Sequence, residues 1–377
     1  MASFDLVVVG AGIVGLAHAL AGARRGLRVA VLERDSRAVS ASVRNFGFVT
    51  VSGQDEGETR RRAMRSREIW LEVAQEAAID VHQRGAVIVA QRPEALAVLE
   101  EFEASEMGMG CELWNAEWTR KQMPQLGAKI LGALASPHEL RVEAREALPA
   151  IARWLEERHG VVFAWNTSAL AIEAGTVRHA HGSLGAHAVV VAPGAAIAAF
   201  APELAKRVEV RHCKLQMMRL APPGFRLPGV VMTDLSLLRY GGFAAQPAAR
   251  ALEALARREC SALLENGVHL IVAQGTDGSL VVGDSHHYAE VADAFSSSEV
   301  DALILGELRA LFDIPQADVR ERWLGYYPVA SVKPLLTADL APRARLISVT
   351  SGTGMSTAFA IGEETIASLF EIRGSSL

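Results

Sequence analysis

The chain has 377 residues, half of them hydrophobic and 21% charged, which suits a large buried core and excludes a disordered chain. Its 38 Lys and Arg stand against 43 Asp and Glu, a formal net charge of −5, so no basic surplus marks a nucleic-acid binder and any attraction for an anion must be local. Cys111, Cys213 and Cys260 match no zinc or disulfide spacing and read as buried small hydrophobes in a reducing compartment.

In chain order, residues 4–9 are a Val-rich run suited to a parallel strand buried on both faces. Residues 13–25 read as a helix that stops at Gly26, and 27–32 as a second apolar strand ending in Glu33. The uncharged stretch 6–23 is not taken for a membrane span or a signal peptide. Gly10, Gly12 and Gly15 interrupt it, and Asp5 precedes it where a signal would carry Lys or Arg. A soluble, cytoplasmic protein with no membrane span is expected.

Residues 40–53 read as a polar, glycine-punctuated loop, 58–78 as a charged helix, 85–90 as a strand and 93–107 as an outer helix. A helix over 143–159, an extended stretch over 161–171, a hairpin over 176–187 and a buried strand over 188–191 follow, closed by Ala192-Pro193-Gly194. Strands are then predicted at 210–221, 229–240, 267–274, 279–285 and 318–327, with a helix at 298–312. The tail gives a strand at 346–350, a Ser-Gly-Thr-Gly turn at 351–354 and a helix at 358–372. The fold class is therefore α/β, or α+β overall: a Rossmann-type nucleotide-binding domain from 1–84, 140–206 and 326–377, and an antiparallel-sheet substrate domain from 85–139 and 207–325.

Gly10-Ala11-Gly12-Ile13-Val14-Gly15 is a full GxGxxG between strand and helix. The first glycine permits the tight turn, the second admits a pyrophosphate to the backbone, and the third lets the helix lie close to the strand. The helix start offers free N–H groups to phosphate. Alone the motif is also what helix–sheet packing produces. Glu33, eighteen residues after Gly15 at the end of the next strand, adds a carboxylate that can accept both ribose hydroxyls and repel a 2′-phosphate, which disfavours NADP. The second glycine turn, Ser351 to Ser356, points to FAD rather than NAD, because its amides could face a flavin ring. It is also an ordinary helix cap.

GAGIVGLAHALAGARRGLRVAVLER, ASVRNFG, VVVAPGA and SGTGMSTAFAIGEE, in that order, resemble the D-amino-acid oxidase, glycine oxidase and sarcosine oxidase superfamily of FAD-dependent amine oxidoreductases. Within it, SVRNFGFV, KLQMMR, LLRYGGF, DGSLVVGDSHHY and ERWLGYYP are similar to a bacterial subgroup whose members accompany phosphonate-degradation genes. The resemblance implies that Gly10, Gly12, Ile13, Val14 and Gly15 contact the FAD pyrophosphate, and that Glu33 with Arg34 lies at the adenosine ribose. Ser42, Arg44 and Asn45 would follow the pyrophosphate towards the flavin, Ala169 would meet adenine and Gly194 would sit beside the cofactor. Gly352, Thr353, Gly354, Met355 and Ser356 would cover the flavin pyrimidine edge. The SVRNFG loop has no His or Cys, and the C-terminal turn no Cys, where relatives attach flavin covalently, so noncovalent FAD is expected.

Flavin amine oxidation requires a positioned C–H bond and an uncharged amine rather than a catalytic side chain, so no catalytic residue is assigned. Substrate-binding candidates are Arg239, Tyr240, Lys214, His286 and His287, with Arg44 and Lys333 weaker; each is also readable as a solvated charge. Neighbours in a strand diverge, so one of His286 and His287 at most can face the flavin, and His212 beside Cys213 is no thiol–imidazole pair. Several cations aimed into one cavity would make a site for a phosphonate or carboxylate.

The expected function is hydride transfer from the α-carbon of a small anionic-headed amine to flavin N5, then imine hydrolysis, with dioxygen or another acceptor reoxidising the flavin. The subgroup resemblance favours 2-aminoethylphosphonate or its N-methyl derivative, giving phosphonoacetaldehyde. The alternatives are glycine, sarcosine or a D-amino acid as substrate, a flavin-dependent hydroxylase, or a non-catalytic FAD-binding subunit.

Overall fold

The apolar run at 6–9, Leu followed by three Val, places Ser3–Val9 inside an eight-stranded sheet. The structure, a computed structural model, describes residues 3–314, 317–330 and 334–370. The main order is Leu335–Ala341, Ala344–Val349, Gly182–Val191, Ser3–Val9, Val29–Leu32, Val162–Ala164. The last five run parallel. Val7, Val8, Val31, Val189 and Val190 are buried, as a sheet covered on both faces requires. Leu335–Ala341 is an antiparallel edge, and Ala169–Glu173 with Thr176–His179 extends Gly182–Val191 as an antiparallel flap.

Two helices, Ile13–Arg24 and Gly354–Phe370, cover one face of this sheet, and glycine decides how closely they pack. A Cβ on Gly15 would lie 1.8 Å from the Gly10 carbonyl oxygen, and one on Gly362 would lie 2.7 Å from the Ala17 carbonyl oxygen. The first helix thus rests on its own strand's turn, and the last rests on the first. Trp70, from the helix Glu58–Glu76, fixes the start of the last helix by donating to the Met355 carbonyl at 2.8 Å.

The second sheet has ten strands. Its main order is His287–Ala289, Arg211–Leu220, Leu280–Gly283, Ile271–Gln274, Val230–Met232, Val81–Ala90, Gly132–Val142, Phe48–Val49. Val319–Val329 pairs with Arg211–Leu220, and Glu112–Asn115 with Gly132–Val142. Pairing is antiparallel except between Val230–Met232 and Val81–Ala90.

Several expected elements differ. Residues 229–240 are not one strand: after Val230–Met232 the chain makes the helical turns Ser236–Arg239 and Gly241–Ala244. The turn starts where the Ser236 and Leu237 amides donate to the Thr233 and Asp234 carbonyls, while the Asp234 side chain is held by Arg92 at 2.7 Å. Local hydrogen bonding of this kind overrides the β-propensity of the segment. Residues 40–53 hold a 3-10 turn, Ala41–Val43, and the short strand Phe48–Val49 rather than an uninterrupted loop. The outer helix ends at Glu103, and the C-terminal helix begins at Gly354. The segment limits expected at 84/85, 139/140 and 325/326 each fall inside a strand of the second sheet.

Candidate functional site

The two sheets meet at a cleft of about 1630 Å³, mouth included, into which both glycine turns open. Gly10 turns the chain at φ +103°, where a Cβ would also lie 2.4 Å from the Ala192 carbonyl oxygen. In the helix that follows, the Ile13 amide donates to Ser42 Oγ at 3.0 Å. The next amides, of Val14 and Gly15, carry no protein partner among the described residues. The same holds for the Gly354 and Met355 amides at the second turn, where Gly352 takes φ +77° and Thr353 accepts from Ser356 and Thr357. Free amides at the start of a helix, with no side chain above them, suit an anionic dinucleotide.

Glu33 stands behind this turn. Its carboxylate accepts from the Ala11 amide at 2.8 Å and from the Asp35 amide at 3.1 Å, which stiffens the GxGxxG loop and leaves lone pairs for further donors. Gly12, Ile13, Val14, Gly15, Ser42 and Gly194 line the cleft, as do Gly352, Thr353, Gly354, Met355 and Ser356. Arg44 and Asn45 line it too, while bracing their own loop: Arg44 Nε donates to the Val39 carbonyl, and Asn45 Nδ2 donates to that of Ala41. Gly10, Glu33, Arg34 and Ala169 are not among the lining residues. Arg34 pairs with Asp35 near the surface, and Ala169 lies in the flap.

The opposite wall comes from the second sheet and sorts the substrate candidates. Arg239, Tyr240 and His286 face the cleft; Lys214 and His287 do not. Lys214 and His287 are cross-strand neighbours, so they share the other face. Lys214 Nζ is bound to the Phe295 carbonyl at 2.9 Å and to Asp293 at 3.2 Å, and His287 Nε2 lies 3.1 Å from Asn266 Oδ1. Leu215, one residue on from Lys214, lines the cleft instead. Arg239 arrives from the helical turn at 236–239, not from a strand as expected. Its guanidinium donates to the Tyr327 hydroxyl at 3.1 Å and forms no ion pair among the described residues. Lys333 lies outside the described residues.

Three groups at this wall escaped sequence reading: His269, Asp284 and Tyr327. All three line the cleft and are buried. Asp284 and His286 fall in the irregular link between the strands Leu280–Gly283 and His287–Ala289, where alternation gives no signal. Tyr327 reaches the site through strand pairing, and His269 from just before the strand Ile271–Gln274. His269 Nε2 lies 3.6 Å from Asp284 Oδ1, and His286 Nε2 lies 3.8 Å from Asp284 Oδ2. Burial pushes the Asp284 carboxyl up to about 7, with the Arg239 charge opposing. Burial and the Arg239 charge pull His286 down to about 3, and burial also holds His269 far below its ordinary value, so both imidazoles are neutral. Cys213 is buried as expected, with its thiol pushed up to about 11 by burial, and Cys260 is also buried, whereas Cys111 is half-buried.

The model of the family "FAD dependent oxidoreductase" matches residues 5–368. The chain is 24% identical over 345 residues to an opine oxidase subunit of Rhizobium meliloti, covering 86% of this chain and 82% of that protein. Its fold is similar to that of glycine oxidase from Geobacillus kaustophilus, with a TM-score of 0.78, 19% identity and coverage of 100% of this chain and 97% of that one. It is also similar to FAD-bound L-alpha-glycerophosphate oxidase from Mycoplasma pneumoniae, at TM-score 0.78, 17% identity and coverage of 98% and 95%. Among the described residues no helix is long and apolar enough to cross a membrane.

Proposed function

This chain belongs to the FAD dependent oxidoreductase family, and from that premise we propose that it oxidises a small amine whose anionic head is held by Arg239. FAD, bound noncovalently, supplies the two-electron acceptor for the carbon–hydrogen bond next to nitrogen. The chain's own part is to hold and orient. Amides of Val14, Gly15, Gly354 and Met355 take the anionic and polar edges of the cofactor, Glu33 keeps the first turn rigid and faces the ribose, and Ser42 closes the pyrophosphate side. Strands of the first sheet form the cofactor domain, and those of the second the substrate domain. The substrate is oxidised to an imine, which water converts to a carbonyl compound, and dioxygen or another acceptor takes the electrons.

One observation carries the substrate class: a guanidinium with no carboxylate partner among the described residues faces the same cleft as both glycine turns. Such a guanidinium offers a fork of N–H donors and a positive charge that an incoming carboxylate or phosphonate matches. The subgroup likeness makes 2-aminoethylphosphonate or its N-methyl derivative the proposed substrate. A second reading, an amino carboxylate such as glycine, sarcosine or a D-amino acid, is favoured by the diversion of Lys214 and His287, which leaves fewer cations for a dianion. Solved neighbours of this fold include a glycerophosphate oxidase as well as a glycine oxidase, so fold alone does not select C–N over C–O chemistry.

Anaerobic stopped-flow bleaching of the bound flavin by 2-aminoethylphosphonate, its N-methyl derivative, glycine, sarcosine, D-alanine and glycerol 3-phosphate tests this. Bleaching by an amine without pyridine nucleotide supports it and removes the hydroxylase and non-catalytic readings. Bleaching by glycerol 3-phosphate alone, or by none, rejects it.

A further inference from the structure

Resting on that reading, we propose that Asp284, flanked by His269 and His286, receives the ammonium end of the substrate and takes one of its protons, leaving a neutral amine in the cleft. The hydrogen-bond partner of His286 fixes which of its ring nitrogens carries hydrogen. His286 Nδ1 lies 3.0 Å from the Gly267 carbonyl, which can only accept, so Nδ1 is the N–H and Nε2 is bare. His269 Nδ1 lies 3.3 Å from Ser236 Oγ. Nε2 of both rings faces the Asp284 carboxylate. Two acceptors, the bare His286 Nε2 and the Asp284 carboxylate, therefore face one another. His269 Nε2 and Asp284 Oδ1 are buried with no hydrogen-bond partner among the described residues.

Such an arrangement is costly until a donor enters it. An alkylammonium brings three N–H donors and a positive charge, and Arg239 in the same wall would take the other end of a zwitterion. Proton transfer is then short: the N–H bond breaks with its electron pair left on nitrogen, and an O–H bond forms on Asp284. The ionisable groups beside Asp284 are His269 and His286, and those close enough for its charge to act on them, or theirs on it, are Arg239, Tyr240, Tyr288 and Cys213. Burial holds the two imidazoles neutral and raises both phenols and the thiol, so near neutrality the carboxyl is the group that titrates. A metal ion fits less well. The imidazole planes lie 20° apart with centroids at 4.9 Å, so their lone pairs run side by side instead of converging at the ~2.1 Å that a metal requires.

The test is the pH dependence of flavin bleaching in the FAD-loaded enzyme, measured anaerobically at saturating 2-aminoethylphosphonate and at saturating glycine. In the wild type the limiting rate should fall as pH drops below about 7, where Asp284 is already protonated. Asp284→Asn should lose at least ~100-fold at pH 7, the scale of general base catalysis, and recover as pH rises towards the amine's own pKa. Asp284→Glu should restore part of the neutral rate. Identical pH profiles in wild type and Asp284→Asn, a loss equal at every pH, or stoichiometric metal in the purified protein would overturn the proposal. Should Asp284→Asn fail to hold FAD, the wild-type acid limb and His286→Gln decide: absence of that limb, or an unchanged KM in His286→Gln, refutes it. If no amine bleaches the wild type, the proposed function falls and takes this inference with it; if amines bleach it and only the pH behaviour fails, the function stands.

Discussion

The cleft has two walls built on different principles. The wall of the first sheet is made of backbone: two turns whose glycines remove side chains so that amides face inward. The wall of the second sheet is made of side chains, with Arg239, His269, Asp284, His286 and Tyr327 arriving from separate elements. A backbone wall depends on the absence of atoms at a few neighbouring residues. A side-chain wall depends on register, on which face each residue takes, and on what else competes for its polar atoms. Lys214 shows the competition: its charge is spent on Asp293 and the Phe295 carbonyl, away from the cleft.

The largest effect should come from filling the backbone wall. Gly15→Val sets a side chain against the Gly10 carbonyl oxygen, 1.8 Å from where Cβ must lie. Overpacking against backbone costs more than ~3 kcal/mol, so the variant should contain no FAD by absorbance and unfold at much lower urea. A yellow, stable Gly15→Val protein would break the contrast between the walls.

Next come two buried titrating groups of opposite sign, one behind each wall. Burial pulls His18 in the first helix from 6.5 to about 4, so the unfolded chain binds a proton that the folded chain refuses. Its contribution is present above pH 6.5 and is lost as pH falls towards 4, on the order of 3 kcal/mol in full. Asp284 behaves oppositely: its folded pKa is raised from 3.8 to about 7, so its contribution is present at low pH and lost as pH rises through that window. Melting temperature against pH should therefore lose its acid limb in His18→Gln and gain stability near neutrality in Asp284→Asn. Parallel curves for all three proteins would refute the assignment.

Glu33→Gln tests the brace behind the glycine turn. Removing a charged acceptor of two backbone amides costs ~1.5–3 kcal/mol, which predicts a ten- to hundredfold weaker FAD dissociation constant by fluorescence titration. An unchanged constant would show the loop to be held by packing alone.

The smallest effects sharpen the side-chain wall. Arg239→Ala should raise the KM for amine at least ~10-fold, more for a phosphonate than for the matching carboxylate, with FAD content normal. Lys214→Ala should stay within ~3-fold, since its ion pair with the exposed Asp293 lies outside the cleft. Equal effects of the two would mean that register does not decide which cation serves the site.

These contrasts explain how much was legible. A strand, a glycine turn, a helix and Glu33 lie within consecutive residues, and local sterics give them one outcome, so the first wall could be read from the chain. The second glycine turn was equally plain, although its helix starts at Gly354 rather than 358. Reading 229–240 as one strand missed the helical corner that carries Arg239, because hydrogen bonds at Thr233 and Asp234 outweighed β-propensity. Sequence alternation allowed only one of His286 and His287 to face the cleft; the pairing of Lys214 with His287 decided which. By itself, then, the sequence determined the strand, glycine turn and helix of the dinucleotide unit and the acid at the end of its second strand, since these rest on contacts between residues close along the chain. Only the tertiary structure brought His269, Asp284 and Tyr327 around Arg239, because their juxtaposition follows from long-range strand register, which no local propensity encodes.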